Sequence, residues 1–138
     1  MSARIPPMDI SAEAAVLSAV LLDPSAYDKV QDVLQPEAFY SEAHRRTYEA
    51  CVELRAVGSP SDVVTVGSWL RDHGRIAQVG GMAYLTEMLN AASVVANVRK
   101  YAEIVRDKAA LRKIILACAT ISDRGYDDVE NVRAFVES

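Results

Sequence analysis

Two cysteines and two histidines are all the thiol and imidazole ligands that 138 residues supply, and none of the four stands at ligand spacing from another. Cys51 and Cys118 each fall among apolar neighbours on helical patterns, so both read as reduced core residues, with neither a disulfide nor zinc implied. His44 and His73 stand apart with no H-E-x-x-H between them, and each reads as a surface or helix-end histidine. No Gly-Lys pair occurs, which removes the phosphate-cradling loop G-x-x-x-x-G-K-[ST]. The Gly80-Gly81 pair is a simpler fit to a turn. No serine sits in a G-x-S-x-G elbow, and Asp123, Asp127, Asp128 and Glu130 lack the alternation of a calcium loop. A catalytic set and a metal set are therefore both missing from the expected site list.

Long apolar runs are also missing: none approaches the roughly 20 residues a membrane span requires. The opening M-S-A-R-I-P-P has no secretory pattern, so a cytoplasmic address without a membrane is expected. Positive charge is in deficit as well, with 15 Lys and Arg against 19 Asp and Glu and a net charge of −4. That is the wrong sign for a domain whose main work is gripping phosphates. A local basic stretch at Arg99, Lys100, Arg106, Lys108, Arg112 and Lys113 is broken by Glu103 and Asp107, and reads as a solvated helix face.

What is present is apolar content, 51% of residues, spaced for helices. Residues 1–8, with Pro6 and Pro7, read as an extended arm. Ile10, Ala14, Leu17 and Leu21 then recur at helical spacing. Asp9 or Ser11 caps that helix, and Asp23 before Pro24 closes it. A short helical turn over residues 25–34 ends before Pro36. From the cap Ser41, the positions Ala43, Thr47, Ala50, Leu54 and Val57 mark a second helix, broken by Gly58 and Pro60. Residues 63–66 have strand-like composition, yet Asp62 stands at a cap and Val63, Val66, Trp69 and Leu70 keep helical spacing. Met82, Leu85 and Leu89 make another short apolar face after Gly80-Gly81.

A long helical pattern from about Val94 to Arg124 carries a stripe that changes face near Asp107. Before it lie Val94, Val98, Tyr101 and Val105; after it lie Leu111, Ile114, Ile115, Cys118 and Ile121. The two halves must therefore pack against different things. Gly125 is placed to end the helix with positive φ, and Asp127 with Glu130 makes a capping-box pattern for one more helix bearing Val129, Val132, Phe135 and Val136. The expected fold is all-α: a compact body of about six helices over residues 9–107, then the start of a helical hairpin over 108–138. Two short helices hide little of their apolar faces, so the hairpin should bury them on another subunit or domain. Ser138 falls inside an amphipathic pattern, so a longer protein is expected to continue. Read from residues alone, the chain is an interaction domain of unnamed partner.

Several motifs in register supply a family. Residues 4–17, R-I-P-P-M-D-I-S-A-E-A-A-V-L, resemble the opening of replicative helicases of the DnaB family. Leu22-Asp23-Pro24 resembles the family's L-D turn, and Phe39-Tyr40 with His44 its F-Y-x-x-x-H. The run from Gly58 to Thr65 is similar to G-x-P-x-D-x-[VI]-T, Gly80 to Leu85 to G-G-x-x-Y-L, and Ala96 to Ala102 to A-N-[VI]-x-x-Y-A. Departures are Ser11 for the first Glu, Ser18 for the Gly after V-L, and Ser93-Val94 for Pro-[ST]; they bear on local capping. The resemblance implies the non-catalytic N-terminal collar domain of a hexameric, ATP-dependent helicase that unwinds DNA at the replication fork. It implies a trimer of dimers paired through hairpins, docking of primase, possible use of a helicase loader, and DNA contact through the intact protein. ATP and Mg would belong to a C-terminal ATPase domain beyond this chain. It implies Tyr84, as an exposed aromatic, with Ile115 and Ile121 for primase contact, against the alternative that Tyr84 sits at the core edge and the isoleucines serve only pairing. Leu111, Ile114, Cys118, Val132 and Phe135 are implied for the hairpin or dimer interface. Competing readings are the helicase-binding domain of a primase, a stand-alone helical interaction module, a DNA-binding helical domain, and an enzyme with an unfamiliar site.

Overall fold

The computed structural model describes residues 4–90, 97–127 and 132–137, and among these every regular element is helical. The helices are α1 (Ile10–Leu22), α2 (Pro24–Val30), α3 (Glu42–Ala56), α4 (Val63–Asp72), α5 (Ile76–Val79), α6 (Gly81–Asn90), α7 (Val98–Tyr126) and α8 (Val132–Glu137), with a 3-10 turn at Pro36–Ala38. The all-α expectation holds, and the β-branched residues after Asp62 are helical.

Helix α1 is the axis of the body. Asp9 starts it, its carboxylate accepting the Ala12 amide at 2.9 Å. One face was expected to be buried, but Val16, Leu17, Ser18, Ala19, Val20 and Leu21 are all buried in succession. The reason is that α2, α3, α6 and α7 surround it, so an all-round apolar helix is what the centre requires. Asp23 caps α2 in turn, accepting from the Ser25 amide and hydroxyl at 3.0 and 2.8 Å.

Ser41 caps α3 as expected, but that helix is rotated from the anticipated stripe. Its buried side chains are His44, Thr47, Tyr48, Ala50 and Cys51, while Val57 at the end of the helix is exposed. Tyr48 explains the rotation: its ring lies 4.9 Å from Phe39 and its hydroxyl donates to the Leu34 carbonyl at 3.0 Å. Asp62 and Thr65 form a capping box at the start of α4. On α4 the bare Gly67 lets α6 come close, since a Cβ there would run into the Met82 sulfur. Gly80 ends α5 at φ 101°, a left-handed conformation that favours glycine. The four-residue α5 was not anticipated.

Helix α7 is where the sequence pattern and the structure meet most usefully. Val98, Ala102, Val105 and Ala109 are buried against the body, and beyond them the helix projects with its apolar residues exposed. The expected end at Gly125 is corrected: the helix continues to Tyr126, and Gly125 is not among the positive-φ glycines. A Cβ on Gly125 would meet the Phe135 ring of α8 at 3.7 Å, an ordinary van der Waals contact, so Gly125 marks where α8 packs on α7 and is not a steric requirement. Val94, Ser93 and the Glu130 half of the proposed capping box lie outside the described residues.

Candidate interaction surfaces

Three places gather the side chains that sequence reasoning singled out, or missed. The first is a buried knot around Glu13, the single charged residue on α1. Its carboxylate accepts the amides of Tyr40 at 2.8 Å and Ser41 at 3.2 Å, and lies 2.9 Å from Nδ1 of His44. Of the two expectations for His44, surface or helix-end, the second holds and the first is corrected: it lies in the first turn of α3 yet is 5% exposed, because it completes the coordination of a buried carboxylate. His73 does sit at a helix end, stacked on Trp69 at 3.8 Å.

Tyr84 adjoins the knot, its ring centre 6.2 Å from that of His44. It is half-buried against the core rather than an exposed aromatic, and desolvation, aided by Glu13, pushes its phenol up to about 12. Glu13 was missed in the sequence, although a lone charge inside an apolar helix was the signal available.

The second place is the outer face of α7. At 100° per residue, Leu111, Ile114, Cys118 and Ile121 fall within about 80° of one another. All four are exposed, with Ile114 at 59% and Ile121 at 56%. Cys118, read as a core residue, is therefore corrected to a free surface thiol, because among the described residues none covers it. Cys51 is a buried free thiol, and desolvation pushes it up to about 12. Val132 and Val136 of α8 are exposed, while Phe135 is half-buried with the Arg124 guanidinium 5.0 Å from its ring centre.

The third place is a groove of about 720 Å³ between the arm and α7, lined by Ile5, Tyr40, Ile115, Leu116 and the arginines 4 and 45 among others. Arg112 builds it. Its guanidinium donates to the Pro7 carbonyl at 2.8 Å and the Ala38 carbonyl at 2.7 Å, and lies 5.4 Å from the Tyr40 ring centre. The reading of the basic stretch as a solvated face fails at Arg112, which ties arm, turn and α7 together, and holds at Arg99, whose two-pronged pair with Asp32 at 3.1 and 3.2 Å is exposed. Ile115 faces this groove and Ile121 the outer face, so these two candidates do not share one surface.

Among the described residues no group of three or more His, Cys, Asp or Glu side chains could hold a metal, and no helix is long and apolar enough to cross a membrane.

The model of the DnaB-like helicase N-terminal domain matches residues 5–107. The chain belongs to that family. As a DnaB-like N-terminal domain it is 41% identical to the replicative DNA helicase DnaC of Bacillus subtilis over 97% of its length, covering 30% of that protein. It is 38% identical to replicative DNA helicase DnaB of Geobacillus stearothermophilus over 99% of its length, again 30% of the relative. The chain therefore spans under a third of the curated relatives it matches. Among solved structures, the N-terminal domain of DnaB helicase from Mycobacterium tuberculosis superposes with a TM-score of 0.91 at 36% identity, covering 96% of this chain and 94% of that one. A DnaB-like replicative helicase described together with its interactions with primase superposes with a TM-score of 0.74 at 25% identity, covering 84% of this chain and 27% of that one. These matches favour the helicase reading over a primase domain.

Proposed function

We propose that this DnaB-like domain is the assembly and recruitment collar of a hexameric replicative helicase. The observation that carries the reading is the outer stripe of α7: four exposed apolar residues on one face of a helix whose other half is firmly seated. A patch of that kind marks a protein interface. In the proposed arrangement α7–α8 units pair through Leu111, Ile114, Cys118 and Ile121, with Val132 and Phe135 of α8 extending the contact, and three such pairs make the ring. ATP, Mg and DNA are handled by the remainder of the parent protein, which unwinds duplex DNA in the bacterial cytoplasm.

Primase docks on the same collar, with Tyr84, Ile115 and Ile121 as contacts, and a helicase loader is a further candidate partner. Holding primase there raises its local concentration beside the emerging single strand. Subunit pairing through a helical hairpin also gives the ring a hinge for constricted and dilated states.

The test separates assembly from recruitment. Ile121→Asp places a charge in the proposed pairing face and should lower the mass seen in sedimentation equilibrium, because burying an unpaired carboxylate is unfavourable. Tyr84→Ala and Ile115→Asp should weaken primase binding in a biosensor while leaving that mass unchanged. Unchanged mass for Ile121→Asp together with unchanged primase affinity for all three variants refutes the reading.

A further inference from the structure

We infer that the groove between the arm and α7 is a small-molecule site for a purine nucleoside di- or triphosphate. The inference goes beyond the collar reading and does not depend on it. Its basis is first of all charge. Elsewhere in the chain Arg46, Arg55, Arg75, Arg99 and Arg106 each stand against a carboxylate. Arg4, Arg45 and Arg112 line the groove together, and among the described residues none of the three has a carboxylate partner. A chain with 19 acids against 15 bases has thus gathered three like charges in one cleft without neutralising them. Their mutual repulsion is relieved when an anion enters.

Arginine suits phosphate in particular, because its planar fork meets two oxygens at once. Arg112 is held by the Pro7 and Ala38 carbonyls, which fixes its place and leaves its charge intact. Arg4 on the arm and Arg45 on α3 remain to take the phosphates. A nucleic acid strand presents its phosphates in single file, whereas a di- or triphosphate brings several negative charges to one point. Arginines that converge on one cleft match the second arrangement.

The rest of the lining fits a nucleoside. Tyr40 is 43% exposed, and its ring, held against the Arg112 guanidinium, offers aromatic surface on which a base can stack. Ile5 and Leu116 leave 81% and 67% of their surface open, area that a base and ribose would cover. Glu37, the one acid in the lining, repels a bare phosphate but can accept from a ribose hydroxyl or from the amine of a base. An anion without donors therefore gains less here than a nucleotide does. The volume of about 720 Å³ lies within the roughly 300–1,000 Å³ of small-ligand pockets.

Isothermal titration calorimetry on the full chain tests the site, with GTP, ATP, guanosine, pyrophosphate and oligothymidylate as probes. The chain has no phosphate-cradling G-x-x-x-x-G-K-[ST] loop, so nucleotide binding to it reports the groove. At least one nucleotide should bind about tenfold or more tightly than pyrophosphate or guanosine, since each of those makes only part of the contacts. It should also raise the melting temperature as its concentration rises. Arg4→Glu and Arg45→Glu should each weaken nucleotide binding about tenfold or more, because each replaces an attraction by a repulsion. Tyr40→Leu should weaken the nucleotide and leave pyrophosphate unchanged, which a purely electrostatic patch would not do. Ile121→Asp, on the outer face of α7, should bind as the wild type does, and circular dichroism confirms that all variants fold. Neither heat nor a melting shift with either nucleotide, pyrophosphate bound as tightly as the nucleotides, oligothymidylate bound more tightly than both, or full affinity in Arg4→Glu and Arg45→Glu overturns the inference, whatever sedimentation shows of assembly.

Discussion

Glu13→Ala is the perturbation that most sharply tests how this domain is held together. The carboxylate is 1% exposed and satisfies three donors: the Tyr40 and Ser41 amides and His44 Nδ1. Truncation leaves all three without that acceptor. A buried donor stripped of its partner costs about 1–3 kcal/mol, and the two amides here are only part-buried, so the lower end applies to them. The sum is about 3–5 kcal/mol, in the range for removing one partner of a buried pair. Domains of this kind have roughly 5–15 kcal/mol in total, so the variant should fold but marginally. At about 3–5 °C per kcal/mol for a chain of this size, its melting temperature should fall by about 10–20 °C. Glu13→Gln, which keeps one acceptor oxygen but turns its amide NH2 toward another donor, should lose about half as much. Thermal denaturation followed by circular dichroism reads both. Hydrogen exchange should also speed up at the Tyr40 and Ser41 amides ahead of the rest of α3. A Glu13→Ala melt within 3 °C of the wild type, itself well under the scale just derived, would refute the reasoning.

Two further substitutions probe the core and its edge. The Ser18 hydroxyl is fully buried without a hydrogen-bond partner, so Ser18→Ala should stabilise the fold by up to about 1 kcal/mol in urea denaturation. Because burial raises the Tyr84 phenol to about 12, the folded state holds that proton more tightly than the unfolded chain, whose tyrosine titrates near 10. Its stabilising contribution is full below pH 10 and is lost as pH rises through 12. Tyr84→Phe should therefore lose stability less steeply than the wild type between pH 10 and 12. Equal slopes would mean that Tyr84 titrates as a solvated phenol.

Most of the framework was legible because its signals are local. Asp9, Ser41 and Asp62 declare helix starts by chemistry that needs no tertiary context, and all three cap as expected. The change of face along α7 was legible because Lys108 and Arg112 fall where the first stripe would continue. What could not be read is what depends on distant partners. Glu13 and His44 are polar residues whose burial is set by each other, 31 positions apart. Arg112 looked solvated until Pro7, 105 positions away, supplied its acceptor. Tyr48 rotated α3 because Phe39 and the Leu34 carbonyl stand where its ring and hydroxyl can meet them. The α7 stripe itself was visible in the sequence, but only the structure showed that Cys118 faces outward with it.

The outward thiol offers the most direct measurement of the central claim, that the outer face of α7 joins subunits. Cys51 is buried with its thiol pushed up to about 12, so a thiol reagent added to the folded chain reports Cys118 alone. The reaction rate should fall as protein concentration rises, in step with the mass measured by sedimentation, and should stay high at all concentrations in Ile121→Asp. A rate that stays constant while the mass increases would show that the chain associates through some other face, and would contradict the account.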